Sequence, residues 1–124
     1  MDTKSRKLLL LVEDERSLAN ALETKFTHKG FEARNVTSGE EALKLLRSEK
    51  FDLVLLDLVM VKVDGFHVLE TMKKEDIHVP TIVLSNLGGE EVEKKVKELG
   101  AKDFLVKAET PMSKVVEHVE QVLQ

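Results

Sequence analysis

The sequence predicts an α/β fold, a doubly wound five-stranded parallel sheet with helices on both faces. Five short apolar runs of strand length alternate with five segments whose apolar residues recur every three or four positions. The runs are apolar at consecutive positions, as strands buried on both faces require. The 124 residues, without internal repeat, linker or low-complexity tract, suit one domain. Residues 1–124 therefore read as a single unit with one site to find.

The elements follow in order. The first strand is LLLLV at residues 8–12. The next helix carries Leu18, Leu22 and Phe26 at four-residue spacing and closes on His28, Lys29 and Gly30, where cations suit the negative helix end and glycine supplies a left-handed cap. Residues 32–36 form the second strand. Ser38 with Glu41 makes a capping box for a helix carrying Ala42, Leu43 and Leu46. Residues 51–56 form the third strand, and Asp64 and Gly65 start a helix with Phe66, Leu69 and Met72 inward. Pro80 opens the fourth strand, 81–84.

Gly88 and Gly89 precede a helix with the stripe Val92, Val96 and Leu99, ended by Gly100. On its outer face Glu90 and Lys94, Glu91 and Lys95, and Glu93 and Lys97 stand one turn apart, each pair contributing ~0.2–0.5 kcal/mol, so this face reads as solvated surface. Residues 103–106 form the fifth strand. Thr110, with Pro111 at the first helical position, starts a last helix through Val115, Val116, Val119 and Leu123. Met60, Met72 and Met112 read as core filler. His28, His67, His78 and His118 read as surface residues without ligand spacing.

Composition narrows the function. With 19 Lys+Arg against 23 Asp+Glu the net charge is -4, and no basic stripe carries interleaved aromatics, which argues against direct contact with nucleic acid. The absence of cysteine removes disulfides, thiol chemistry and cysteine-based metal cages and suits a reducing cytoplasm. The apolar run at 8–12 is too short for a signal sequence or a membrane span, and Glu13, Asp14 and Glu15 end it abruptly. No membrane partner is expected.

In a parallel sheet the residues just past the strand ends gather along one rim, where ligands bind. That rim collects Glu13 and Asp14 after the first strand, Asp57 after the third, Ser85 after the fourth and Lys107 after the fifth. Asp57 ends an apolar run, where desolvation penalises its charge unless something pairs with it. Like charges about 4 Å apart repel by about 4 kcal/mol at an effective dielectric of 20. Lys107 offsets part of this, and oxygen ligands with room for water suit Mg²⁺, which binds one or two carboxylates together with a phosphate. The expected chemistry is phosphoryl transfer with Asp57 as nucleophile, Mg²⁺ between Asp14, Asp57 and the phosphoryl group, the Ser85 hydroxyl donating to one oxygen and Lys107 neutralising another.

These residues together resemble the receiver domains of two-component response regulators. The resemblance covers residues 8–123 and rests on the acidic pair Glu13-Asp14, the stretch from Asp57 through Met60 to Asp64-Gly65, Ser85 before the glycines, and Gly100-Ala101 leading through Phe104 to Lys107. It implies a flavodoxin-like strand order of 2-1-3-4-5. It implies Asp57 as phosphoacceptor, Glu13, Asp14, Asp57 and the backbone carbonyl of Val59 as Mg²⁺ ligands, and Ser85 and Lys107 as readers of the phosphate. Ser85 and Phe104 become the switch residues, altering the surface of the fourth helix, fifth strand and fifth helix, with Gly88-Gly89 letting the intervening loop move.

The implied partners are a sensor histidine kinase or phosphotransfer protein upstream and a downstream protein target or detached output domain, because the chain stops soon after the fifth helix. The implied role is signalling in the cytoplasm, with catalysis limited to the domain's own phosphoryl transfer and autodephosphorylation.

The chain departs from the family's usual pattern at three places. Val61 stands where proline is usual, Asn86 where a small residue is usual, with crowding of the phosphate as the expected effect, and Ala108 follows Lys107 where the family commonly has a cis proline. A non-prolyl cis bond costs roughly 2.5–4 kcal/mol, so that bond is either trans or strained. Three rivals remain. A pseudo-receiver would keep the fold as a constitutive interaction module. An aspartate phosphatase needs a second acid two residues after the nucleophile, where Val59 stands. A flavin carrier wants a Ser/Thr/Gly-rich loop where Glu13-Asp14-Glu15 would repel phosphate.

Overall fold

The computed structural model describes residues 6–60 and 64–124. Among them five strands alternate with five helices: β1 (Leu8–Val12), α1 (Arg16–His28), β2 (Glu32–Val36), α2 (Gly39–Ser48), β3 (Leu53–Leu56), α3 (Gly65–Lys74), β4 (Thr81–Ser85), α4 (Glu90–Glu98), β5 (Asp103–Val106) and α5 (Met112–Leu123). The strands pair in parallel in the order β2-β1-β3-β4-β5, as the doubly wound reading requires.

Consecutive strand residues point to opposite faces, and both faces are covered. Leu10, Val12, Val54, Leu56 and Val83 pack against Ala42, Leu46, Val68, Met72 and Val96 from α2, α3 and α4. Leu9, Leu11, Leu53, Leu55, Ile82 and Leu84 pack against Leu22, Phe26, Val115 and Val119 from α1 and α5. Each fully buried leucine or isoleucine contributes roughly 1.5–3 kcal/mol, so this double layer fixes the sheet and hence the position of every strand end.

Several local details differ from the sequence reading for physical reasons. The third strand begins at Leu53 because Asp52 does two jobs beside it: its N–H donates to the Leu8 carbonyl at 2.8 Å and its carboxylate accepts the Leu8 N–H at 2.7 Å. Pro111 is the cap residue before α5 and lies outside its first turn, with φ −59° and ψ 152°. A short 3-10 turn over Lys107–Glu109 intervenes. Ser38 and Asp64 do cap α2 and α3, accepting the N–H groups of Glu41 and His67. Of the three expected pairs on α4, only Glu93 and Lys97 meet, at 3.3 Å. Lys95 instead places its ammonium 4.4 Å from the centre of the Phe66 ring on α3. Met60 and Met72 are buried, while Met112 is half-buried. His118 is half-buried too and pairs with Asp103.

Val61 lies outside the described residues. The peptide bond between Lys107 and Ala108 is trans. No helix among the described residues is long and apolar enough to cross a membrane.

Candidate functional site at the carboxyl rim of the sheet

The chain reaches the rim under tight local control. The Glu13 N–H bonds the Val36 carbonyl at 3.0 Å and the Asp57 N–H bonds the Val12 carbonyl at 3.0 Å, so both acids leave the sheet in register. Gly65 fixes the segment behind Asp57. Its N–H bonds the Leu58 carbonyl at 3.0 Å, and a Cβ there would lie 2.4 Å from the Asp57 carbonyl oxygen and 2.7 Å from the Leu58 Cα. Only glycine lets α3 start so near the end of β3.

The result is a cluster of three carboxylates and one ammonium. Glu13, Asp14 and Asp57 each offer an oxygen within 4.8 Å of the others'. Glu13 and Asp57 are buried, and Asp14 is half-buried. The Lys107 ammonium stands between the buried pair, 2.8 Å from Glu13 Oε1 and 3.0 Å from Asp57 Oδ2. Their remaining oxygens accept backbone N–H groups, Glu13 Oε2 from Glu15 at 2.9 Å and Asp57 Oδ1 from Val59 at 3.2 Å. Asp14 takes part in none of these bonds. It does not cap α1 either, whose cap residue is Glu15 without a side-chain bond.

Burial pushes the Glu13 carboxyl above its ordinary pKa, and the charge of Asp57 adds to this. The hydrogen bonds from Lys107 and the Glu15 N–H oppose it without prevailing. Burial disfavours the Lys107 ammonium, but its hydrogen bonds to Glu13 and Asp57 and their charges outweigh that and raise its pKa. The cluster therefore keeps an excess of negative charge that one lysine does not cancel. All its free donors are oxygens, the ligand type that a hard divalent cation such as Mg²⁺ takes.

The other expected residues fall around this cluster. Ser85 is fully buried at the end of β4, and its Oγ accepts the Leu87 N–H at 3.2 Å, so it makes no direct bond to Asp57 among the described residues. Phe104 on β5 is half-buried and packs on the α2–α4 side of the core. Val59 and Leu87 flank the rim as the exposed large apolar side chains among the described residues. Asn86 turns its amide oxygen to the Ala108 N–H at 3.0 Å. A cavity of about 670 Å³ lies at the opposite end of the sheet between α3 and α4, lined by Met72, Ile77, Pro80 and Leu99, and holds none of these residues.

Two contributions escaped the sequence reading. Lys107 is shared between Glu13 and Asp57, although β1 and β5 are not neighbours in the sheet. The close approach at Gly65 leaves no mark in the sequence beyond a glycine after a cap aspartate.

A parallel sheet with an acidic, lysine-bridged cluster on its carboxyl rim defines a class of signalling domain. Residues 9–120 match the response regulator receiver domain, and the chain belongs to that family of two-component signalling proteins. It is 41% identical over 113 residues to a probable transcriptional regulator, ycf27, of Porphyra purpurea, covering 90% of this chain and 45% of the relative. It is 33% identical over 108 residues to the response regulator SaeR of Staphylococcus epidermidis, covering 87% and 47%. The chain thus spans about half the length of the curated relatives it matches. Among solved structures, the receiver domain of the Francisella response regulator 1452 superposes with a TM-score of 0.90 at 26% identity, covering 95% of this chain and 97% of that one. The non-phosphorylated HemR receiver domain of Leptospira biflexa gives 0.89 at 28%, covering 96% and 95%.

Proposed function

We propose that the chain is a single receiver unit whose Asp57 accepts a phosphoryl group from the phosphohistidine of a sensor kinase or phosphotransfer protein, or from a small acyl phosphate. An Asp57 carboxylate oxygen attacks phosphorus, the bond from phosphorus to the donor breaks, and the donor leaves with its electron pair. Lys107, already within hydrogen-bond distance of Asp57, moves its ammonium onto a phosphoryl oxygen, and Ser85 turns its hydroxyl from Leu87 toward another. Glu13, Asp14, Asp57 and the Val59 carbonyl would hold Mg²⁺. Bound there, the ion supplies positive charge against the phosphoryl oxygens.

The observation that carries this reading is the meeting of Lys107 with Glu13 and Asp57, with Asp14 within 4.8 Å and in no ion pair among the described residues. The displacement of Ser85 draws Phe104 inward and alters the α4–β5–α5 surface, changing affinity for a downstream protein or a detached output domain. Only Val96 of α4 is buried and Gly89 before it has φ +110°, both of which suit a movable helix. Some relatives are named transcriptional regulators, and any contact with nucleic acid would belong to an output domain. The setting is the cytoplasm.

Incubation with acetyl phosphate and Mg²⁺ should add the mass of one phosphoryl group. The gain should vanish in Asp57→Asn and on chelation. No gain in the unaltered chain would leave the alternative, a pseudo-receiver that binds partners constitutively.

A further inference from the structure

Two of the positions where this chain leaves the family's usual pattern touch one another. Asn86 follows Ser85, Ala108 follows Lys107, and the Ala108 N–H donates to Asn86 Oδ1 at 3.0 Å. A proline at 108 would have no N–H to donate. The bond joins the β4–α4 loop to the turn that carries Lys107, across 22 residues of sequence. Otherwise that turn is held from its own strand and within itself, by Thr110 Oγ1 donating to the Val106 carbonyl at 2.8 Å and the Thr110 N–H to the Lys107 carbonyl at 3.3 Å.

A lysine side chain has many rotamers, and it reaches two buried carboxylates at once only from a fixed backbone. We propose that Asn86 is a positioning residue, whose amide oxygen holds the turn that aims Lys107 at Asp57 and ties it to the loop bearing Ser85. This rests on the phosphoacceptor reading for its consequence. Ser85 and Asn86 are neighbours on one backbone, so a shift of Ser85 toward a phosphoryl group is passed through Asn86 to Ala108 and Lys107. The two groups that read the phosphate then move as a unit.

The test is a double-mutant cycle on the rate of Mg²⁺-dependent phosphorylation by acetyl phosphate. Asn86→Ala should lower the rate about 3- to 10-fold, the order expected for one hydrogen bond. In a Lys107→Ala background the same substitution should change nothing, because its effect passes through Lys107. Equal losses in both backgrounds, or no loss in the first, would overturn the proposal. A crystal structure of Asn86→Ala gives a second reading that needs no phosphoryl transfer: Lys107 should leave at least one of its two carboxylates. If it keeps both contacts, positioning by Asn86 is refuted. If the unaltered chain takes up no phosphoryl group, the proposed function fails, and that structure still decides where Asn86 puts Lys107.

Discussion

Opposite charges meet at about the same distance in two very different places. On the outer surface Arg47 of α2 grips Glu75 after α3 through two bonds of 2.8 Å, one cation to one anion, with side chains 49% and 38% exposed. On the rim Lys107 stands 2.8 and 3.0 Å from Glu13 and Asp57, with side chains 14%, 5% and 5% exposed, and a third carboxylate lies beside them. The surface pair has the better geometry, a guanidinium fork on a carboxylate. Yet solvent screens it, and its charges cancel. The rim cluster is shielded from solvent and carries a formal charge of −2 at neutral pH. Burial and stoichiometry, more than bond length, decide where electrostatic free energy is stored, and the unbalanced site is the one proposed to take a cation and a phosphoryl group.

The largest effect should come from Lys107→Ala, which leaves Glu13 and Asp57 buried without a counter-charge. A loss of about 2–3 kcal/mol of unfolding free energy is expected at neutral pH without divalent ions, below the range for fully buried pairs because the Lys107 side chain keeps 14% of its surface exposed. Urea unfolding measures it. The folded pKa of Lys107 is raised, so its stabilisation is complete below the ordinary lysine value and is lost as pH rises through the folded one. The variant should lack that alkaline loss. An unchanged midpoint would show that the rim lysine is no more valuable than a surface one.

A smaller effect of opposite sign should follow Asp14→Asn, which removes the carboxylate that no cation among the described residues pairs. The metal-free protein should gain about 1 kcal/mol, read by thermal unfolding. The Glu13 pKa is raised by burial and by Asp57, so from the ordinary glutamate value up to the raised one the folded chain holds a proton that the unfolded chain has released. Stability therefore falls as pH rises across that window. Burial and Asp57 set that fall, so Asp14→Asn should keep it while raising stability, whereas a destabilised variant would mean that the cluster is not overcharged.

The fold was legible because its signals are strong and local. A strand such as LVLL at Leu53–Leu56 is buried at every position, so its pattern in sequence is the pattern in space. The strand ends followed from the fold, since parallel strands gather them on one rim. What stayed hidden depends on side chains choosing among distant partners. Lys95 lies over Phe66 and leaves Glu91, a choice worth fractions of a kcal/mol that helical spacing cannot settle. Lys107 reaches across β4 and β3 to Glu13, a contact between strands that are neighbours neither in the sequence nor in the sheet. Asn86, read as an obstacle to the phosphate, turns to an N–H that exists only because residue 108 is not proline.

The smallest effect should be that of Arg47→Ala. The Glu75 pKa is lowered, first by its hydrogen bond from Arg47, which outweighs the opposing effect of desolvation, and further by the charges of Arg47 and Lys74. A lowered folded value means stabilisation present above the ordinary glutamate range and lost as pH falls through the folded value. The gap between wild type and Arg47→Ala should thus be slight at neutral pH, shrink further in high salt and close on acidification. The gap opened by Lys107→Ala should close in the opposite direction, as pH rises. Urea midpoints of both variants across pH compare the two pairs directly. If Arg47→Ala cost as much stability as Lys107→Ala, bidentate geometry would outrank burial, and the contrast between the two sites would be wrong.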